Sequence, residues 1–204
     1  MTSNLSPDLR VAKIPLNSGT GAMPALGFGT LIPDPAETRS ATANALKVGF
    51  RHFDCAERYR NEREVGESLK SEFATGAITR QDVFITTKLW NTNHRPERVE
   101  PAFNASCECL GISYVDLYLI HTPYAFQPGD NMEPRDQMGH IIYDHDVTLL
   151  DTWRAMENLV EVLGRFSVCC ADLPGVTIWR SFRGFEMEFG KRILGLDGVS
   201  HHRS

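Results

Sequence analysis

The sequence contains no apolar run near the roughly 20 residues needed to span a bilayer, and its first residues show no cationic segment leading into an apolar one. Neither a membrane anchor nor a secretory leader is expected, and the chain reads as cytoplasmic. Positive charge is also short: 21 Lys and Arg stand against 26 Asp and Glu, a formal charge of -5. Without a basic stripe there is no electrostatic footprint for nucleic acid or an anionic membrane surface. Cysteines are few and badly placed for cross-linking: Cys55, Cys107, Cys109, Cys169 and Cys170 form no repeated CxxC and include two pairs too close in sequence to staple distant segments. Cys107 and Cys109 read as reduced thiols on a helix, since tetrahedral zinc wants four ligands. His140, Asp144, His145 and Asp146 form a polar loop cluster that reads as facing water, so no metal site is expected. With 42% hydrophobic and 23% charged residues, the composition excludes collagen-like and disordered classes.

What is present is an alternation of short β-rich runs with longer amphipathic ones. Residues 25–30 form a short apolar run, and Pro35 opens a helical stretch to Val48 that stops at Gly49. Residues 51–55 are a second strand, followed by a helix over 61–73 with Val65, Leu69 and Phe73 on one face. Residues 83–89 are a third strand, Pro96 starts a third helix that ends before Gly111, and residues 115–121 are a fourth strand. A further helix runs through Trp153 to Leu163. Ahead of the first strand, residues 11–16 and 22–23 flank a turn-rich stretch and suit a hairpin capping one end of the fold.

Nearly continuous apolar strands separated by helices predict a parallel α/β sheet buried on both faces. Two architectures compete, an open doubly wound sheet and a (β/α)8 TIM-type barrel. A dinucleotide-binding doubly wound sheet would carry GxGxxG after its first strand; Gly27-Phe28-Gly29 lacks the third glycine, which favours the barrel. In such barrels chemistry sits at the C-terminal strand ends. Asp54 ends the second strand with Tyr59 in the loop after it, Lys88 lies near the end of the third and His121 ends the fourth. Each has a purely structural explanation: a helix cap, packing, a snorkelling lysine, a core histidine. Together they predict a converging cluster, because titratable groups buried at strand ends are costly unless they pair.

Residues 53–62, Phe-Asp-Cys-Ala-Glu-Arg-Tyr-Arg-Asn-Glu, then Thr87-Lys88-Leu89-Trp90, then Leu119-Ile120-His121-Thr122-Pro123, closely resemble the three tetrad motifs of the aldo-keto reductases, in family order. Supporting similarity runs through residues 23–30 and 151–157, so that the resemblance covers roughly 11–162. It implies an enzyme that reduces a small-molecule carbonyl substrate with NADPH. By the resemblance Tyr59 is the general acid, Lys88 eases release of its proton because a nearby cation favours the phenolate, Asp54 fixes Lys88, and His121 holds the carbonyl. Gly29, Thr30 and Asp54 would face the cofactor, and Trp90 would line the substrate pocket. Leu31 stands where many members carry an aromatic, which would remove a flat wall from that pocket. Residues 122–148 resemble the variable loop that covers it; loops of this length are usually functional.

After Leu163 the pattern breaks, and the fifth strand, the carboxamide-holding residues and the basic motif for an adenosine 2′-phosphate cannot be located. Residues 1–163 hold 15 basic and 22 acidic side chains, a net of -7, whereas 164–204 hold 6 and 4, a net of +2. Residues 190–196 faintly resemble the family's lead into its fifth strand, so residues near 164–189 are expected to interrupt a reductase sequence. Barrels of this type run to about 250 residues, against 204 here. The expectation is therefore an incomplete barrel over 1–163 with a divergent tail, prone to self-association through its open edges. The alternative to an enzyme is a truncated, non-catalytic relative that is inert or acts by protein association.

Overall fold

The computed structural model describes residues 11–16, 21–163, 167–170 and 179–180. Residues 17–20 of the turn-rich stretch ahead of the first strand, and residues 190–196, lie outside the described residues. Strands β1 (Lys13–Pro15) and β2 (Ala22–Pro24) pair antiparallel as the expected hairpin. Five strands then align in parallel: β3 (Phe28–Gly29), β4 (His52–Asp54), β5 (Phe84–Leu89), β6 (Leu117–Ile120) and β7 (Ser167–Cys170). A two-residue strand, β8 (Trp179–Arg180), adds antiparallel to β7. Helices α1 (Pro35–Lys47), α2 (Glu62–Ala74), α3 (Pro96–Leu110) and α4 (Leu149–Leu163) follow β3, β4, β5 and β6 in turn.

The helix ends follow local chemistry. The Asp34 carboxylate accepts the Glu37 amide at 2.7 Å, with Pro35 in the first turn of α1. Helix α3 ends on Gly111 at φ 65°, a left-handed cap that a residue with Cβ adopts only at a cost. Strand β7, a fifth parallel strand that could not be located in the sequence, lies within the stretch expected to interrupt the pattern and pairs with β6 from Leu117↔Ser167 to Ile120↔Cys170. Four residues are too few to display a period, and their strand character comes from the neighbouring edge of β6. Among the described residues the sheet is an open array from β3 to β8, and no helix is long and apolar enough to cross a membrane.

Alternation sorts the strand residues onto two faces. Phe53, Ile85, Leu89, Tyr118 and Ile120 face the helices and form the main core with residues such as Trp153. On the opposite face His52 lies against Phe84, ring centroids 5.1 Å apart, and its Nε2 is 3.0 Å from Thr86 Oγ1. Phe84 and Leu117 there pack with Leu16 and Met23 of the hairpin, which covers the N-terminal end of the strands. Further along the same face come Asp54, Lys88 and His121, at the uncovered end.

Helices α2 and α3 approach so closely at Gly66 that a Cβ there would sit 2.6 Å from the Cys109 and Leu110 carbonyl oxygens. Because backbone rather than a flexible side chain must yield, Gly66→Ala is expected to destabilise the fold by about 1–3 kcal/mol in urea unfolding. A second expectation concerns His94, just ahead of α3, which is buried and whose Nε2 has no hydrogen-bond partner among the described residues. Burial, opposed by the nearby Asp144 charge, lowers its pKa to about 4. The unfolded chain therefore binds a proton that the folded chain refuses between about 6.5 and 4, so stability is lost as the pH is lowered through that range, by up to ~1.4 kcal/mol per pH unit. His94→Gln should flatten this acid limb in urea unfolding measured across that range; an unchanged limb would rule His94 out as its source.

Candidate active site

The site starts from an ammonium that the sheet register places under cover. Lys88 extends from β5 next to Leu119 of β6, while Asp54 ends β4 opposite Thr86 of β5, one i+2 step before Lys88. The two side chains meet at 2.8 Å between Lys88 Nζ and Asp54 Oδ1. The same ammonium donates to the Cys55 carbonyl at 2.9 Å and to the Tyr59 hydroxyl oxygen at 3.1 Å. All three of its donors are satisfied, which is what allows a lysine to be only 6% exposed. Burial is the largest single influence on the Lys88 pKa and pulls it down. Asp54, through charge and hydrogen bond, and then Tyr59 outweigh burial together and hold it above its ordinary value.

Tyr59 reaches this position on a one-turn 3-10 helix, Glu57–Tyr59, that follows β4. Its ring stands edge-on to His121, with centroids 5.8 Å apart, and His121 is in turn 5.1 Å from Trp90. The His121 amide donates to the Leu89 carbonyl at 3.1 Å, continuing the β6 ladder one residue past Ile120. Residues from three separate segments, Asp54 with Tyr59, Lys88, and His121, thus come together at the strand ends.

The remaining predicted positions separate into wall and mouth. Thr30 is fully buried; its amide and hydroxyl both donate to the Asp54 carbonyl, at 3.1 and 3.0 Å, so it holds the strand end from behind. Gly29 is exposed beside it, and a Cβ there would meet nothing within 4 Å. Leu31 is 65% exposed, and Asp54 keeps 39% of its side chain accessible although one oxygen is taken by Lys88. An accessible carboxylate oxygen beside an unobstructed glycine fits the hydroxyl-rich ribose and flat ring of a nicotinamide cofactor. Trp90 is buried against His121 and Phe126, and its indole donates to the Met132 carbonyl at 2.8 Å.

The loop of residues 122–148 has more structure than its sequence suggests. It folds back on itself through the bridges Phe126↔Tyr143 and Arg135↔Ile141. Arg58, adjacent to Tyr59, pairs with Glu133 and lies over the Trp90 ring at 5.4 Å, so the loop is strapped to the turn that carries the phenol. The expectation that the polar cluster of this loop faces water fails for Asp144. Its side chain is only 4% exposed, because Arg95 binds both of its oxygens at 2.7 and 3.1 Å and lowers its pKa. His140 and Asp146 do face water, and no group of three metal-binding side chains forms among the described residues. Cys55 and Cys107 are buried and Cys109 half-buried, all as free thiols.

Sequence reasoning overlooked three supporting residues. Asn61 donates to the Thr30 and Ile32 carbonyls at 2.6 and 3.1 Å. Glu62, almost wholly enclosed, accepts from Thr87 and Ser106, and burial raises its pKa. Glu57 accepts the Trp90 amide at 3.0 Å and the Asn93 side-chain amide at 2.7 Å. The signal available was the density of polar residues between two buried strands, where each must find a partner.

Comparison with known proteins places the chain in a family. The aldo/keto reductase family model matches residues 20–165. The chain is 44% identical over 152 residues to rat aldo-keto reductase family 1 member C18, covering 73% of this chain and 46% of that protein. It is 48% identical over 139 residues to human aldo-keto reductase family 1 member A1, covering 68% of this chain and 42% of that one. Among solved structures, an aldose reductase from Schistosoma japonicum superimposes with a TM-score of 0.74 at 40% identity, covering 78% of this chain and 52% of that one. One from Giardia lamblia does so with a TM-score of 0.67 at 42% identity, covering 71% and 48%. The chain spans about half the length of the curated relatives it matches. By the family match over residues 20–165, it belongs to the aldo/keto reductase family.

Proposed function

We propose that the site reduces the carbonyl group of an aldehyde or ketone to an alcohol, with Tyr59 as proton donor and NADPH as the cofactor. The observation that supports the reading is a half-buried phenol whose oxygen accepts from an ammonium itself fixed by a carboxylate, at 3.1 and 2.8 Å. When bound beside Gly29 and Asp54, the cofactor supplies the hydride that reduces the carbonyl carbon. Tyr59 gives its hydroxyl proton to the carbonyl oxygen as negative charge develops there. The charge left on the phenolate lies next to Lys88, whose ammonium is already oriented and needs no reorganisation at that moment. Asp54 keeps that ammonium in place, and His121 orients the carbonyl oxygen towards Tyr59 by a hydrogen bond. Trp90, Leu31 and the 122–148 loop shape the space around the carbonyl substituents. We place this activity in the cytoplasm.

A second reading, a non-catalytic relative acting by protein association or by pairing of its own open sheets, is favoured by the open strand array among the described residues. Titration of the purified chain with NADPH, followed by tryptophan fluorescence, separates the two. Saturable binding and reduction of an aromatic aldehyde are expected, and Tyr59→Phe should lower kcat by about 10²-fold or more with cofactor binding retained. Absence of NADPH binding would leave the association reading, and full activity in Tyr59→Phe would refute the role of the phenol.

A further inference from the structure

We infer that Glu57 is a positioning residue that fixes the spacing between Tyr59 and Lys88; the catalytic meaning of that spacing rests on the function proposed above. Glu57 stands two residues before Tyr59, and the amide it accepts belongs to Trp90, two residues after Lys88. Its other oxygen accepts from Asn93, whose own carbonyl oxygen accepts from Arg98 Nε at 3.0 Å. One carboxylate therefore joins the turn carrying the phenol to the strand end carrying the ammonium and to the 3-10 turn Asn91–Asn93 beyond it.

The turn needs such a tie. Arg60, directly after Tyr59, is a non-glycine residue in the left-handed region at φ 57°, a conformation that persists only where the surroundings enforce it. Asn61 anchors the far side of the turn to the Thr30 and Ile32 carbonyls, and Glu57 anchors the near side. Between them the Tyr59 amide donates to the Ala56 carbonyl at 3.0 Å, and its hydroxyl oxygen accepts from Lys88. Removing Glu57 frees the near side and leaves the Trp90 amide and the Asn93 side-chain amide without this acceptor. Both losses act on the segments that set the distance from phenol to ammonium, while no residue that would touch substrate is itself replaced.

The test uses the full chain with isotopically labelled tryptophan and tyrosine. Glu57→Met keeps the length of the side chain but removes both acceptors. Glu57→Gln combined with Asn93→Asp reverses the polarity of the second bond: the new amide nitrogen donates to the new carboxylate, which still faces Arg98, and the amide oxygen still accepts from Trp90. In Glu57→Met the Trp90 amide is expected to exchange about tenfold faster. The nuclear Overhauser contact between the Tyr59 ring and the Lys88 methylenes should be lost, and kcat for aldehyde reduction should fall about tenfold with KM within about twofold. In the double variant all three should return to within about threefold of wild type. Faster Trp90 exchange with the Tyr59–Lys88 contact intact would overturn the inference, since Glu57 would then only cap the strand. If Glu57→Met does not fold, the double variant decides: restoration of the contact supports the role, and its loss refutes it. A wild-type chain without turnover would remove the proposed function, while the exchange and contact measurements would still decide what Glu57 positions.

Discussion

A lysine ammonium held under the sheet with an acceptor for each of its protons is the constraint around which the rest is arranged. Lys88 can be buried only because Asp54, the Cys55 carbonyl and Tyr59 converge on it. Each acceptor imposes a demand on the backbone. Asp54 must end β4 in register with β5, the chain must run past Cys55 with its carbonyl turned inward, and it must then turn sharply enough to bring Tyr59 back. Register, strand length and the 3-10 turn are thus consequences of one charge that has to be surrounded.

The two faces of the sheet divide the work. The helix side is close-packed and apolar, and the approach of α2 to α3 at Gly66 ties the helices after β4 and β5 to each other by backbone contact. The other face is graded along the strand axis, from Phe84 and Leu117 under the hairpin, through His52 and Thr86, to the charged pair at the open end. Burial weighs on the charges in the middle and at the top of this gradient. It is the largest influence on His52, whose pKa it lowers, and the influence that Asp54 and Tyr59 must outweigh at Lys88.

Much of this was legible in the residues. Period and caps located the helices within a residue or two, because Pro35, Pro96, Gly49 and Gly111 act locally. The strand ends named Asp54, Lys88 and His121 because a charge or imidazole closing an apolar run has few places to go. Strand β7 was not legible, since its pairing depends on an edge that only the folded sheet supplies. Asp144 was misread because its partner, Arg95, lies 49 positions away, and the choice between a solvated and a paired carboxylate is made by tertiary contact. Glu57 and Asn61 were hidden for the same reason: the density of polar residues around them signalled that each needed a partner, but which carbonyl or amide it meets is decided by tertiary contact.

The strap between Arg58 and Glu133, with the Trp90 indole bound to the Met132 carbonyl, attaches the 122–148 loop to the site beside the phenol and the indole. Because that strap runs through Arg58, next to Tyr59, and through Trp90, a change within the loop is felt first by the 3-10 turn and the indole, and only through them by the Lys88–Asp54 pair, which is held from within the sheet.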